Sequence, residues 1–271
     1  MDRPIKRSKV RVLIGKVLFK TFRYFDWYFG TKKFACERIK TNLPFTVIQH
    51  RTPLLRNLRN LDMWMQYNKV NNLERATSKI SGIVIKPGET FSYWRTIGKA
   101  SKRKGYKKGM VLYNGKIKPG IGGGLCQLSN LIYWITLHTS LTVTERYRHS
   151  YDVFPDSDRT QPFGSGATCI YNYRDLQIYN GTNTEYQLIV YLNNEYLFGE
   201  WRSQEPQTNR YKVYEKMHRI EHLYWGGYVR SNELYRKIYN KDGDIIGDEY
   251  VTSNEAIMMY QPFIEEKKNA N

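Results

Sequence analysis

Cysteine is scarce: 271 residues hold only Cys36, Cys126 and Cys169. An odd number at such wide spacing excludes a disulfide framework, and without a CxxC pair or a Cys/His cluster there is no zinc pattern. No metal or cofactor is implied, and the count suits a reducing compartment. Long apolar runs are missing too. The best candidate, residues 10–29, is broken by Arg11, Lys16, Lys20, Arg23 and Asp26, short of the roughly 18–20 uncharged residues of a membrane span. The same breaks, with no small-residue cleavage site after them, leave no signal-peptide pattern. The expected location is cytoplasmic, with peripheral contact at the inner membrane face. Acidic residues are few in the first 120 positions, six against 28 lysines and arginines, and the net charge is +18. A basic front half calls for nucleic acid, an anionic membrane surface or an acidic polymer. Nucleic acid is disfavoured, because no zinc-finger spacing, RNP-type motif or uninterrupted basic recognition helix is present.

What is abundant is aromatic: 23 Tyr and 11 Phe favour strands, and 41% hydrophobic residues support a core. Val10, Leu13, Ile14, Val17, Leu18 and Phe22 recur near helical spacing with basic residues between them. Two readings stand, a helix lying on an anionic membrane or one docked on the main domain and hiding that stripe. A second helix is expected within 54–80, with Asn71 and Glu74 as a capping-box start and Gly82 at its end. Strands follow at 83–85 and 90–94, with a hairpin around Asn114-Gly115. A mostly buried helix begins at Cys126. Strands are expected at 141–144, within 167–179 and at 186–192, then a polar linker at 202–210 and an antiparallel meander over 211–260. The fold class is α+β: a basic amphipathic N-terminal segment (1–60), a β-rich domain (61–205) whose glycine-rich loop feeds a central helix, and a small C-terminal antiparallel β-extension (206–271).

Gly122, Gly123 and Gly124 lead into a helix with Cys126 in its first turn. Glycines allow a tight turn and close approach, while a helix start offers unpaired N–H groups and partial positive charge. That setting favours thiolate and could stabilise an oxyanion, which marks Cys126 as the most nucleophilic cysteine. The alternative is a small buried hydrophobe in a tight strand-to-helix connection. His149, in a polar turn beside Ser150 and Asp152, is the candidate base. His138 reads as a satisfied helix histidine; His50, His218 and His222 read as structural or surface residues.

Pro87-Gly88-Glu89-Thr90-Phe91-Ser92, Ile97-Gly98, Gly105-Tyr106, Pro119-Gly120-Ile121-Gly122-Gly123-Gly124-Leu125-Cys126-Gln127-Leu128-Ser129 and Glu145-Arg146-Tyr147-Arg148-His149-Ser150 together resemble the ordered motifs of the VanW family, over roughly residues 70–195. Residues 211–260 resemble the C-terminal extension of family members encoded in vancomycin-resistance clusters. The resemblance implies a glycopeptide-resistance or cell-wall role with peptidoglycan or its precursors as partner. Some relatives are cysteine-dependent L,D-transpeptidases, which join peptidoglycan stems through a thioester. Carried over, Cys126 is the nucleophile, His149 its base, and the glycine-loop N–H groups the oxyanion site, with Gln127, Ser129 and Ser150 completing the substrate contacts. Cross-linking happens outside the cell, so without an export pattern either the substrate is a cytoplasmic precursor or the activity is lost. Many relatives carry Gly-Arg-Asp-Ala where this chain has Gly164-Ser165-Gly166-Ala167. An acidic partner for His149 then has to come from elsewhere, such as Asp152, Asp156 or Asp158. The rival reading is a non-catalytic accessory that binds cell-wall precursors or an anionic membrane.

Overall fold

The computed structural model describes residues 8–55, 62–113, 115–153 and 161–262; Asn114, Asp156 and Asp158 lie outside them. In chain order the elements are α1 (Lys9–Phe29), β1 (Lys33–Phe34), β2 (Phe45–Pro53), α2 (Met63–Ile80), β3 (Ile83–Ile85), β4 (Glu89–Ser92), α3 (Tyr93–Ile97), β5 (Lys108–Tyr113), β6 (Lys116–Ile121) and α4 (Cys126–Thr136). They continue as β7 (Thr142–Glu145), β8 (Tyr151–Asp152), β9 (Gln177–Tyr179), β10 (Tyr186–Leu192), β11 (Tyr196–Ser203), β12 (Arg210–His222), β13 (Tyr228–Tyr239) and β14 (Ile245–Met258). The result is an α+β, β-rich fold.

Among the described residues the strands form sheets in the orders β1-β4-β9-β7, β2-β11-β10-β3 and β12-β13-β14-β8, plus the β5-β6 hairpin. Both β1 and β2 come from the expected N-terminal segment, and they are strands of the first two sheets. The main core lies between these sheets and the helices α2 and α4. α4 packs on β11 and β2, and α2 packs on β10 and β5. Leu128, Leu131, Ile132 and Ile135, at helical spacing, are almost fully buried and line the core face of α4. Burying each contributes roughly 1.5–3 kcal/mol. Trp201 of β11, fully buried, donates its indole N–H to Thr136 Oγ1 at 3.0 Å and ties the sheet to the helix's last turn.

The structure departs from the sequence expectations at three places. α2 begins at Met63, so Asn71 lies in mid-helix, where its side chain donates to Gly105 O. The strand expected over 90–94 ends at Ser92, whose hydroxyl accepts the Arg95 N–H and starts α3 instead. The linker expected from 202 begins later, because β11 runs through Ser203.

The C-terminal β12-β13-β14 meander turns at Gly226 and Gly227 (φ +96° and +84°) and at Gly243 (φ +92°), where a positive φ is free of strain only for glycine. It is stitched to the rest by parallel pairing of β14 with β8 and by Arg146. The Arg146 guanidinium donates to Gly166 O, Gly164 O, Thr252 Oγ1 and Asn254 Oδ1, and lies 4.9 Å from the Tyr133 ring centroid.

Candidate functional site

The β5-β6 hairpin delivers the chain into the glycine turn that starts α4. Gly122 and Gly124 hold positive φ (+75° and +92°). Gly123 lies backbone to backbone on Gly109, so close that a Cβ at 123 would sit 2.2 Å from the Gly109 carbonyl. The turn is held from within: Gly122 N–H donates to Lys107 O, Gly123 N–H to Gly120 O and Gly124 N–H to Met110 O, at 2.9–3.0 Å. Asn72 of α2, fully buried, clamps it by donating to Gly123 O (2.9 Å) and Lys107 O (3.1 Å) and accepting the Lys107 N–H (2.8 Å). This corrects the expected oxyanion site. The three glycine amides are consumed by the turn, and within 122–127 only the Cys126 N–H has no acceptor among the described residues.

Cys126 is the first residue of α4 and is half-buried. Burial pushes its thiol pKa up, and the Cys169 main chain only partly offsets this. The expected lowering by the helix start is thus overridden, because desolvation disfavours the anion more than the local dipoles favour it. Cys169 is buried beside it, its thiol held well above its ordinary pKa by burial, with Asp175 and Cys126 adding to the shift. Ser129, expected to touch substrate, is fully buried, and its hydroxyl donates to Ala167 O (2.7 Å) and Cys126 O (3.1 Å). It positions the helix start instead. Gln127 is half-buried and spends its amide N–H groups on Thr52 Oγ1 and Pro53 O, both at 2.9 Å, tying α4 to the end of β2.

His149 does not join this group. No hydrogen bond links it to Cys126, and its pKa is pushed down to about 4, by burial first and then by the Arg174 and Arg148 cations. A raised thiol and a depressed imidazole rest as neutral partners, not as an ion pair. Ser150 is exposed and its carbonyl accepts the Ile257 N–H at 3.0 Å. Asp152 is engaged with Arg230 (3.7 Å) and the Tyr260 hydroxyl (2.9 Å). His138 donates its Nδ1–H to Trp134 O (2.9 Å), four residues back, as a helix-satisfied histidine does.

Sequence reasoning missed a buried polar chain behind Cys169. Asp175, fully buried, accepts from Ser92 Oγ, Trp94 N–H and Leu176 N–H, and so caps α3. Burial pushes its pKa up to about 7 against the favourable hydrogen bonds from Ser92 and Trp94. Its own N–H donates to Glu145, which also takes Arg23 of α1. The ring of Tyr93, next to Ser92, is fully buried, and its hydroxyl donates to Leu125 O just ahead of Cys126. Ser92 and Asp175 are 83 positions apart, so local pattern offers no signal for the pair.

Residues 68–202 match the family model described as VanW like protein. The chain belongs to the VanW family. It is 38% identical over 172 residues to the vancomycin B-type resistance protein VanW of Enterococcus faecalis (strain ATCC 700802 / V583), a match covering 63% of this chain and 62% of that protein. It is 28% identical over 116 residues to the uncharacterized protein YoaR of Bacillus subtilis (strain 168), covering 43% of this chain and 37% of YoaR. The chain therefore matches less than two thirds of either relative's length. No solved structure matches. The VanW match contains the glycine turn, Cys126, Cys169, His149 and Asp175, whereas Arg23, β2 and the C-terminal meander lie outside it.

Proposed function

We propose that this VanW-family protein acts in glycopeptide resistance as a thiol-dependent acyl-transfer enzyme on the peptide stems of peptidoglycan or its precursors. The observation that carries this reading is at Cys126, where sulfur and an uncommitted N–H donor belong to one residue at a helix start. A carbonyl attacked by that sulfur would have a donor for its developing oxyanion. His149 stays neutral above about pH 4, so its ring can take the thiol proton once substrate brings the two within reach. The S–C bond forms as the C–N bond of the stem breaks, and the departing amine takes the proton from the imidazolium. A second amine then attacks the thioester, restoring the thiol and leaving a new amide.

The rival reading, a non-catalytic accessory that binds cell-wall precursors, draws support from the raised thiol pKa and the engaged glycine amides. Intact-mass measurement with synthetic stem peptides separates the two. The acyl-transfer reading expects an adduct on the wild type that disappears in Cys126→Ala and forms more slowly in His149→Ala. Equal binding of stems by wild type and Cys126→Ala, with no adduct on either, would establish the accessory.

A further inference from the structure

α1 sits on the domain with the unexpected side inward. Trp27 is buried against Tyr171 (ring centroids 6.4 Å apart), Arg23 reaches Glu145 and Asn172 O (3.1 Å), and the Tyr24 and Tyr171 hydroxyls are 2.9 Å apart. The apolar stripe is left outside. Val10, Ile14, Leu18, Phe22, Phe25 and Phe29, spaced by three or four residues, are 51–75% exposed. Domain docking thus does not hide this stripe, as one of the two sequence readings expected. Among the described residues no helix is long and apolar enough to cross a membrane, so a spanning role does not account for it.

We infer that α1 is an in-plane anchor whose outward stripe enters the surface of an anionic lipid bilayer. This does not depend on the role of Cys126. A 21-residue helix presents about 30 Å of continuous apolar edge, the length and pattern of interfacial helices. Charge selects the occupant. Arg11 lies in line with the stripe, seven, eleven and eighteen residues before Leu18, Phe22 and Phe29, whereas Lys9, Lys16 and Lys20, spaced by seven and four residues, run along the docked side with Trp27. The helix's one acid, Asp26, is already within ion-pair distance of Arg23 (3.6 Å) and Lys32 (3.4 Å). A second copy's apolar stripe would cover the Arg11 guanidinium without a counter-charge, whereas lipid phosphates at the bilayer surface neutralise it.

The test is co-sedimentation of the full chain with phosphatidylglycerol–phosphatidylcholine vesicles and with pure phosphatidylcholine vesicles. Wild type should favour the anionic vesicles. Leu18→Ser with Phe22→Ser, both exposed and so compatible with folding, should lower partitioning by about tenfold or more. Arg11→Ala should lower it on anionic vesicles only, by about fivefold. Circular dichroism checks that the variants stay folded. Partitioning unchanged by either variant would overturn the inference. So would a lipid-free dimer that the Leu18→Ser and Phe22→Ser variant dissolves while wild type ignores vesicles, since the stripe would then belong to a second copy.

Discussion

Replacing Asp175 by Asn should change how the protein's stability depends on pH, in a direction and by an amount the structure dictates. Asp175 is fully buried and its pKa is pushed up from 3.8 to about 7 by desolvation. Below pH 3.8 the acid is protonated in folded and unfolded chains alike, and it contributes no pH dependence. Between 3.8 and about 7 the unfolded chain ionises while the folded one keeps its proton, so stability falls as pH rises. Above about 7 both are ionised and the loss is complete. Raising a carboxyl from 3.8 to about 7 costs the folded, ionised state about 4 kcal/mol. Asn keeps an acceptor for the Trp94 and Leu176 N–H groups, and its amide can donate to Ser92 Oγ, but it never ionises. The stability of Asp175→Asn relative to wild type should therefore rise by about 4 kcal/mol from about pH 4 to about pH 8. In melting temperature this is roughly 10 °C. His149 acts in the opposite sense, since an imidazole held at about 4 loses stability for the fold as pH falls through its unfolded range near 6.5. For this reason only the difference between the two proteins isolates Asp175. Urea unfolding across that pH range measures it. A difference that stays flat would mean that the carboxyl is solvated or already ionised in the folded chain, and the cap would need another account.

Brief iodoacetamide treatment followed by peptide mapping should modify exposed Cys36 first, then Cys126, and Cys169 last, with the three converging in denaturant; fastest reaction at Cys126 would reinstate an activated thiolate. Gly123→Ala should destabilise the fold by roughly 2–3 kcal/mol in urea unfolding, because its methyl meets the Gly109 main chain and neither backbone can give way. An unaffected midpoint would show that the turn is held more loosely than its hydrogen bonds indicate.

The strands and the glycine turn were legible because their signals are local. Ile83–Ile85 is a three-residue apolar run closed by Pro87-Gly88, and Cys126 opens its helix where the glycines end. The meander was legible from Gly226, Gly227 and Gly243 between alternating residues. What escaped depends on partners far away in the chain. Ser92 in a Thr-Phe-Ser-Tyr-Trp run reads as strand until Asp175 arrives to cap the helix that starts there. The thiol of Cys126 reads as activated from its helix position, and only packing beside Cys169 shows desolvation winning. Asn71 resembles a cap by spacing, yet α2 runs through it because its amide has found Gly105 O. The orientation of α1 was equally hidden, since Arg23 needs Glu145 to decide which side turns inward.

The family match begins at residue 68, but the second sheet does not respect that border. β2 pairs with β11 at eight positions, from Pro53 with Tyr196 to Phe45 with Ser203. A fragment excised at the match boundaries would strip β11 of that neighbour and turn an interior strand carrying Leu197 and Trp201 into a bare sheet edge, an invitation to aggregate. It would also remove Thr52 and Pro53, the residues that hold Gln127 beside Cys126. The matched stretch therefore leans on a strand that lies outside it, and that strand also supplies the footing of Cys126.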